Sequence, residues 1–236
     1  MSTLIFDIET VGEDFDSLDS ASQDVLTRWI RRESGTSAEY QHGLQNLKEG
    51  MGFSPLTGFI VAIGVYDPDR ARGAVYYQAS GDVTPEQEQG GFKYVVKTEP
   101  ELLTMFWNIV AKYDEFVSFN GRSFDVPFLM LRSAAHHIRP SKNLIAQRYL
   151  DKQFRGVRHI DLLDQLSFYG AVWRKPSLHM VCRSFGIESP KAQGVTGDDV
   201  ATLYRTGKCE EIARYNARDL IATAEVFKRW KEALFF

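Results

Sequence analysis

The chain has 236 residues, of which 44% are hydrophobic and 25% are charged, and its formal net charge is −3. This composition is typical of a globular protein and excludes the fibrous and disordered classes. The slightly acidic balance argues against a broad basic surface, although acidic residues gathered at one site would mask a basic groove elsewhere.

No apolar run approaches the length that crosses a bilayer, and the N-terminus lacks the basic and apolar regions of a signal peptide. We therefore expect a cytoplasmic location and no membrane partner. Cys182 and Cys209 form no CxxC pair, and each lies in a helical pattern where a buried thiol is common. We expect no disulfide between them.

The N-terminal part of the sequence predicts strands. Residues 3–8 predict a first strand, and residues 58–67 and 73–79 predict two more that form an antiparallel meander with it. The long segment between the first two, about residues 13–55, contains two amphipathic helical patterns. We interpret it as a helical insertion that either covers a site or decorates the fold.

From residue 98 onward, the patterns of helices and strands alternate. Thr98 and Glu101 have the spacing of a capping box at the start of a helix, which leads into a short strand at 115–119. A further helix begins near Asp125, a weaker strand covers 157–162, and the last third of the chain is mostly helical. This order predicts a mixed five-stranded sheet with helices packed on it.

Two acids lie in the first predicted strand, "LIFDIET". Side chains on a strand alternate between its faces, so Asp7 and Glu9 share one face while Phe6 and Ile8 share the other. Two neighbouring carboxylates repel each other, which makes the pair costly unless something compensates the charge.

Further candidates lie in two later stretches, "FVSFNGRSFDVPFL" and "EEIARYNARDLIATAEVF". Asp125 stands at the start of a helix just after a buried strand, and Tyr215 and Asp219 lie one helical turn apart on the same face. Convergence of these acids makes sense around Mg²⁺ or Mn²⁺, which prefer oxygen ligands and offset the repulsion. Two such ions about 3.5–4 Å apart support phosphodiester hydrolysis. The pattern therefore predicts nuclease chemistry.

The stretches "FDIET", "NGRSFDVPFL" and "YNARD" resemble the three motifs of the DEDDy 3′–5′ exonucleases. This group belongs to the ribonuclease H-like superfamily, and the likeness is greatest to the family B DNA polymerase exonuclease domain in its stand-alone form. It extends from residue 3 to about 230. The resemblance implies a single ribonuclease H-like domain over residues 1–236. The chain departs from the polymerases in ending soon after the last predicted helix, so we expect no proofreading by a polymerase domain in the same chain.

The resemblance also implies roles for the motif residues. Asp7 would bridge two divalent ions, Mg²⁺ or Mn²⁺, and Glu9 and Asp219 would help hold the ion that activates water. Asp125 would serve the second ion. The hydroxyl of Tyr215 would orient the attacking water.

Three further motif positions, Thr10, Asn120 and Phe124, are implied to contact the terminal nucleotide. The expected partner is the 3′ end of single-stranded nucleic acid, with DNA favoured over RNA and nucleoside 5′-monophosphates released. Two alternatives stay open: an exonuclease for RNA or short oligonucleotides with the same site, and a non-catalytic module that binds nucleic acid or protein.

Several other polar residues are expected to have structural or indirect roles. We expect structural roles for His136 and His137 at a helix end. Asp161 is expected near the cleft, as in relatives of the family, but not as a metal ligand. Basic and aromatic residues alternate over 142–159, a pattern that suits single-stranded nucleic acid, although a solvated charged face is the preferred interpretation.

Overall fold

The computed structural model describes residues 2–79, 86–190 and 197–235. Seven strands lie in these ranges: β1 (Thr3–Gly12), β2 (Gly58–Asp67), β3 (Arg72–Tyr77), β4 (Glu86–Gln89), β5 (Phe92–Val96), β6 (Glu115–Ser118) and β7 (Arg158–Asp161). They form one mixed sheet in the order β4-β5-β3-β2-β1-β6-β7.

The expected antiparallel meander of β1, β2 and β3 is confirmed, and β6 and β7 run parallel to β1 on the other side. The predicted number of five strands is too low, because β4 and β5 extend the sheet beyond β3. The sequence of β4, "EQEQ", is wholly polar and carries no strand signal. The neighbouring β5 is short and is stabilised by its pairing with β3. Such pairing is non-local, so the local sequence pattern does not predict it.

Eight α-helices accompany the sheet in the described ranges: α1 (Ser20–Glu33), α2 (Ser37–Gly50), α3 (Glu99–Val110), α4 (Asp125–Ala135), α5 (Leu162–Leu166), α6 (Leu178–Phe185), α7 (Val200–Arg205) and α8 (Cys209–Ala233). The helices α1 and α2 lie between β1 and β2, which confirms the helical insertion. No helix in the described part of the chain is both long and apolar enough to cross a membrane. Cys182 and Cys209 are both buried.

The two faces of β1 enter separate hydrophobic clusters. Leu4, Phe6 and Ile8 pack in a cluster with residues of α3 and α4. Ile5 and Val11 belong to the cluster that contains residues of α6, α7 and α8. Since Asp7 and Glu9 alternate with Phe6 and Ile8 along the strand, both acids lie on the face of the sheet that α8 covers.

Candidate active site

A cluster of carboxylates lies where α8 crosses β1. One carboxylate oxygen from each of Asp7, Glu9 and Asp219 lies within 4.8 Å of the other two. Glu9 and Asp219 are buried, and Asp7 is partly exposed. Three ionised acids this close repel one another strongly, so the cluster favours either protonation or a bound cation.

Asp125, the fourth predicted acid, is buried at the first position of α4. The parallel pairing of β1 with β6 covers only Thr3 to Ile5. The N–H of Ile8 therefore points beyond the end of β6, where it donates to Asp125 Oδ1 at 3.1 Å. This bond ties the start of α4 to β1 between Asp7 and Glu9.

Burial and mutual repulsion perturb the pKa values of these acids. Burial raises the pKa of Asp7 well above its usual value, and the neighbouring charges of Asp125 and Glu9 raise it further. Burial and the charge of Asp219 do the same to the pKa of Glu9. Burial also raises the pKa of Asp125 to about 7. Without a cation the cluster thus retains protons near neutral pH, and binding a cation releases them.

Tyr215 and Asp219 lie one turn apart on α8, as their spacing predicts. The Tyr215 ring is buried, and the charges of Asp219, Glu9 and Asp7 act on its phenol. Burial, followed by the charge of Asp219, raises the pKa of the phenol. The hydroxyl therefore stays protonated and is able to donate a hydrogen bond near the cluster.

Asn216 was missed in the sequence, although it lies inside the stretch "YNARD". Its Nδ2 donates to Asp7 Oδ2 at 2.7 Å, and a hydrogen bond from the same side chain lowers the pKa of Glu9. Gly64 of β2, opposite Asp7 in the sheet register, makes room for it. A Cβ built on residue 64 would lie only 1.9 Å from Asn216 Oδ1.

The turn that precedes α4 is held by Asp161. The carboxylate of Asp161 accepts the backbone N–H groups of Asn120 and Arg122, both at 2.9 Å, and caps the N-terminus of α5. Asn120 has a φ of 68°, in the left-handed region that asparagine tolerates. Phe124 follows this turn and its ring packs on Phe128. Asp161 therefore lies near the site as expected, and its contacts position the turn.

Thr10 links β1 to the helical insertion. Its hydroxyl donates to the carbonyl of Gly52 at 2.7 Å, so the 3₁₀ turn Met51–Phe53 is held against the end of the strand. A cavity of about 1120 Å³ opens here between the end of β1, α2, this turn and α7, and of the predicted site residues only Thr10 lines it. The insertion therefore forms a wall of a cavity that begins one residue from Glu9.

The residues present fit a hard divalent cation. All the donors in the cluster are carboxylate oxygens, which Mg²⁺ and Mn²⁺ prefer. Glu9 Oε1 is buried and has no hydrogen-bond partner among the described residues. A buried acceptor left without a partner is destabilising, and a cation would satisfy it.

A family model described as a predicted 3′–5′ exonuclease related to the exonuclease domain of PolB matches residues 87–233, well over half of the chain. The chain belongs to this family. The matched residues include Asp125, Tyr215 and Asp219, whereas Asp7 and Glu9 precede them. Membership in this family confirms the predicted resemblance to the family B polymerase exonuclease domain.

The fold is similar to that of the family B DNA polymerase from the hyperthermophilic archaeon Pyrobaculum calidifontis, with a TM-score of 0.59 and 16% sequence identity. The similarity covers 97% of this chain and 24% of the polymerase, so the chain spans about a quarter of the polymerase's length. At this identity the comparison shows the fold alone, and it confirms the predicted ribonuclease H-like class. Among curated proteins none matches.

Proposed function

We propose that this PolB-related family member is a metal-dependent 3′–5′ exonuclease that releases nucleoside 5′-monophosphates from single-stranded nucleic acid. The observation that carries the proposal is the convergence of Asp7, Glu9 and Asp219, drawn from strand β1 and helix α8, within 4.8 Å of one another. Asp219 follows Asp7 and Glu9 by more than about 200 positions in the chain, and what these residues share is a carboxylate group. Membership in a family of predicted exonucleases supports the same reading.

In this proposal Asp7, Glu9 and Asp219 hold divalent cations, and Asp125 completes the set. Two divalent ions, when bound, supply positive charge that stabilises the transition state and lowers the pKa of a water molecule. Asn216 fixes one oxygen of Asp7 through its 2.7 Å hydrogen bond and leaves the other available for a cation. Ligand orientation by such surrounding groups strongly affects metal sites.

Tyr215 acts in the proposal through its hydroxyl. This group remains protonated because burial and the neighbouring acids raise the pKa of the phenol. Tyr215 lies one helical turn from Asp219 on the same face of α8, and in the proposal its hydroxyl donates to a water bound beside Asp219. The hydroxyl then orients that water for attack on the phosphorus, and loss of the hydroxyl removes a positioning contact but no ligand.

Thr10, Asn120 and Phe124 are proposed to contact the 3′-terminal nucleotide. Thr10 borders the cavity beside the cluster, and the turn from Asn120 to Phe124 leads directly into Asp125. A cavity of about 1120 Å³ is large enough for a nucleotide. DNA is favoured as substrate because the family is related to a DNA polymerase domain.

The test uses 5′-labelled single-stranded DNA and RNA oligomers of matched sequence and graded length, with Mg²⁺, Mn²⁺ or EDTA. Wild-type protein should shorten DNA from the 3′ end, one nucleotide at a time, only when a cation is present. Asp7→Asn and Asp219→Asn should lose at least about 100-fold in rate, because each removes a ligand. The matched control is Asp69→Asn, a surface aspartate in the turn between β2 and β3, which should retain full activity.

The outcomes separate the alternatives. Faster shortening of RNA, or of oligomers of only a few nucleotides, would assign the same site to those substrates. Intact oligomers in every lane, with binding that does not depend on a cation, would favour the non-catalytic module. Near wild-type activity of Asp7→Asn would overturn the assignment of the site.

A further inference from the structure

Exposed aromatic side chains lie in two segments that flank β7 and α5, residues 148–149 and 168–173. We call Tyr149, Phe168, Tyr169 and Trp173, together with Arg148, the aromatic surface. Trp173 is 99% exposed, and Phe168 and Tyr149 are more than half exposed. The rings of Tyr149 and Tyr169 lie 4.8 Å apart, and the Arg148 guanidinium lies 5.8 Å from the centre of Tyr169. Such a group of large rings in contact with water is unusual and marks a binding surface.

The backbone beneath this surface is strained and firmly held. Phe168 and Tyr169 have φ values of 48° and 56°, a region that aromatic residues rarely adopt. The carbonyl of Ser167 accepts two backbone N–H groups that close this turn, and the Tyr169 hydroxyl accepts hydrogen bonds from Leu150 N and Gln165 Nε2. The Phe168 ring is exposed to solvent, so burial of the ring does not offset the cost of the backbone strain. Strain of this kind clusters at functional sites.

The aromatic surface is anchored to the turn that leads into the carboxylate cluster. The Arg122 side chain donates to the carbonyls of Leu144 and Ile145, which lie just before Arg148 in the chain. The Arg122 backbone N–H donates to Asp161, which caps the helix that ends just before Phe168. Both segments that carry the rings therefore attach to one turn next to Asp125.

The charges on this surface match a polyanion. Arg148 is half exposed while it pairs with Asp164, and Arg174 and Lys175 follow Trp173 on exposed positions. Two other basic residues of the 142–159 stretch have structural roles instead. Lys142 donates to the Gly156 carbonyl, and Arg158 pairs with Glu115.

We infer that the aromatic surface binds bases of single-stranded nucleic acid upstream of the 3′ nucleotide that the carboxylate cluster receives. The inference rests on the proposed function, because it assigns a place to the remainder of the same substrate. Aromatic rings stack on any base, and arginine and lysine contact the phosphates between them, so the surface fits single strands without sequence preference. A duplex keeps its bases stacked inside and would not engage these rings.

Tryptophan fluorescence tests this placement independently of cleavage. The chain has four tryptophans, of which Trp107 and Trp230 are buried and Trp29 and Trp173 are exposed. In the Asp7→Asn background with EDTA, a twelve-nucleotide oligo(dT) should quench the emission. The quenching should persist in Trp29→Phe, whose side chain lies on α1 in the insertion, and disappear in Trp173→Phe.

Affinity gives the second readout. Trp173→Ala and Phe168→Ala should each bind a fluorescein-labelled twelve-nucleotide oligo(dT) about 10-fold more weakly in anisotropy, the size expected for one lost stacking contact. Trp29→Ala is the matched control and should bind like the parent. Poly-glutamate of similar charge should neither quench Trp173 nor compete with the oligomer.

The results distinguish this inference from the proposed exonuclease. If wild-type protein degrades the oligomer but neither quenching nor affinity depends on Trp173 and Phe168, the aromatic surface is not the binding site. Equal quenching of Trp173 by poly-glutamate would also overturn the inference. A third outcome is that the wild type leaves every oligomer intact, while quenching and affinity depend on Trp173 and Phe168 as predicted. This outcome would support binding at the aromatic surface and contradict the proposed exonuclease activity.

Discussion

Gly64 of β2 and Asn216 of α8 lie in direct contact beside Asp7. A Cβ on residue 64 would be 1.9 Å from Asn216 Oδ1 and 2.6 Å from Leu220 Cδ1, distances that atoms do not adopt. The missing side chain lets α8 approach the sheet, and Asn216 then reaches Asp7 Oδ2 at 2.7 Å. The geometry of the carboxylate cluster therefore depends on a glycine on a neighbouring strand.

We predict that Gly64→Ala lowers both stability and activity. The added methyl group should force α8 outward, which costs about 1–3 kcal/mol in the free energy of unfolding and about 10- to 100-fold in kcat, the range seen when a ligand-orienting contact is lost. The control is Gly73→Ala, whose Cβ would lie 2.2 Å from Phe92 in the outer part of the sheet. It should be destabilised comparably and keep its kcat. Urea unfolding measures the stability of both variants, and initial rates measure their kcat. Equal kcat in the two variants would contradict the role of Gly64.

The Asp161 carboxylate provides a second prediction. Its Oδ1 accepts the N–H groups of Asn120 and Leu163, and its Oδ2 accepts that of Arg122. Asp161→Asn would place an NH₂ group against one of these donors and leave it buried and unpaired, at a cost of about 1–3 kcal/mol. Because the turn leads into Asp125, KM for the oligomer should rise while the protein still binds Mn²⁺. Unchanged KM in a destabilised variant would limit Asp161 to a structural role.

Divalent cations should stabilise the folded protein. A cation that binds only the folded state at 100 times its Kd adds about 2.7 kcal/mol, so Mn²⁺ should raise the Tm of the wild type. Asp219→Asn should respond much less to Mn²⁺. Without a cation this variant should be at least as stable as the wild type, since it removes a charge from a repelling cluster. A thermal shift series in Mn²⁺ measures both effects, and the Asp69→Asn control should behave like wild type.

His159 supplies a pH dependence separate from the cluster. Its ring nitrogens contact Ser118 Oγ at 2.8 Å and the Leu144 carbonyl at 3.0 Å, and burial lowers its pKa to about 4. Between pH 6.5 and 4 the unfolded chain binds a proton at this histidine and the folded chain does not. Stability is therefore lost as pH falls through this window.

This loss amounts to about 2 kcal/mol at pH 5. His159→Gln retains hydrogen-bonding groups but does not titrate, so its stability should fall less between pH 7.5 and pH 5. The carboxylates oppose this trend in both proteins, because their raised pKa values make the folded state bind more protons. The comparison of urea midpoints between the two proteins isolates the histidine. Parallel pH profiles would show that His159 is not the group responsible.

Tyr215→Phe should reduce kcat by about 10- to 100-fold, as expected for a supporting contact, and leave the Mn²⁺-induced shift in Tm intact. The hydroxyl is not a member of the carboxylate cluster. The variant should therefore lose less activity than Asp219→Asn measured under the same conditions. Loss of the thermal shift in Tyr215→Phe would instead mean that the hydroxyl is needed to form the cation site.

Local signals predicted the features that arise within a few residues of chain. The capping box of Thr98 and Glu101 is present at the start of α3, with the Thr98 N–H donating to Glu101 at 2.8 Å. Ser177 caps α6 and Gly186 ends it with a φ of 69°, both as their residue types predict. The shared face of Asp7 and Glu9 follows from the twofold period of a strand, and that of Tyr215 and Asp219 from the pitch of a helix.

The tertiary structure decided which of these local faces meet. That α8 crosses β1 at Asp7, that Gly64 lies beneath Asn216, and that Asp161 holds the turn before Asp125 are contacts between residues far apart in the chain. The pairing of β5 with β3 is of the same kind. The sequence by itself determined most of the elements and the acidic motif residues, although not β4, β5 or the role of Asn216, because propensity and side-chain period act over short distances. Tertiary packing brought these elements and residues together, because how closely two elements approach depends on the complementary shapes of both of their surfaces.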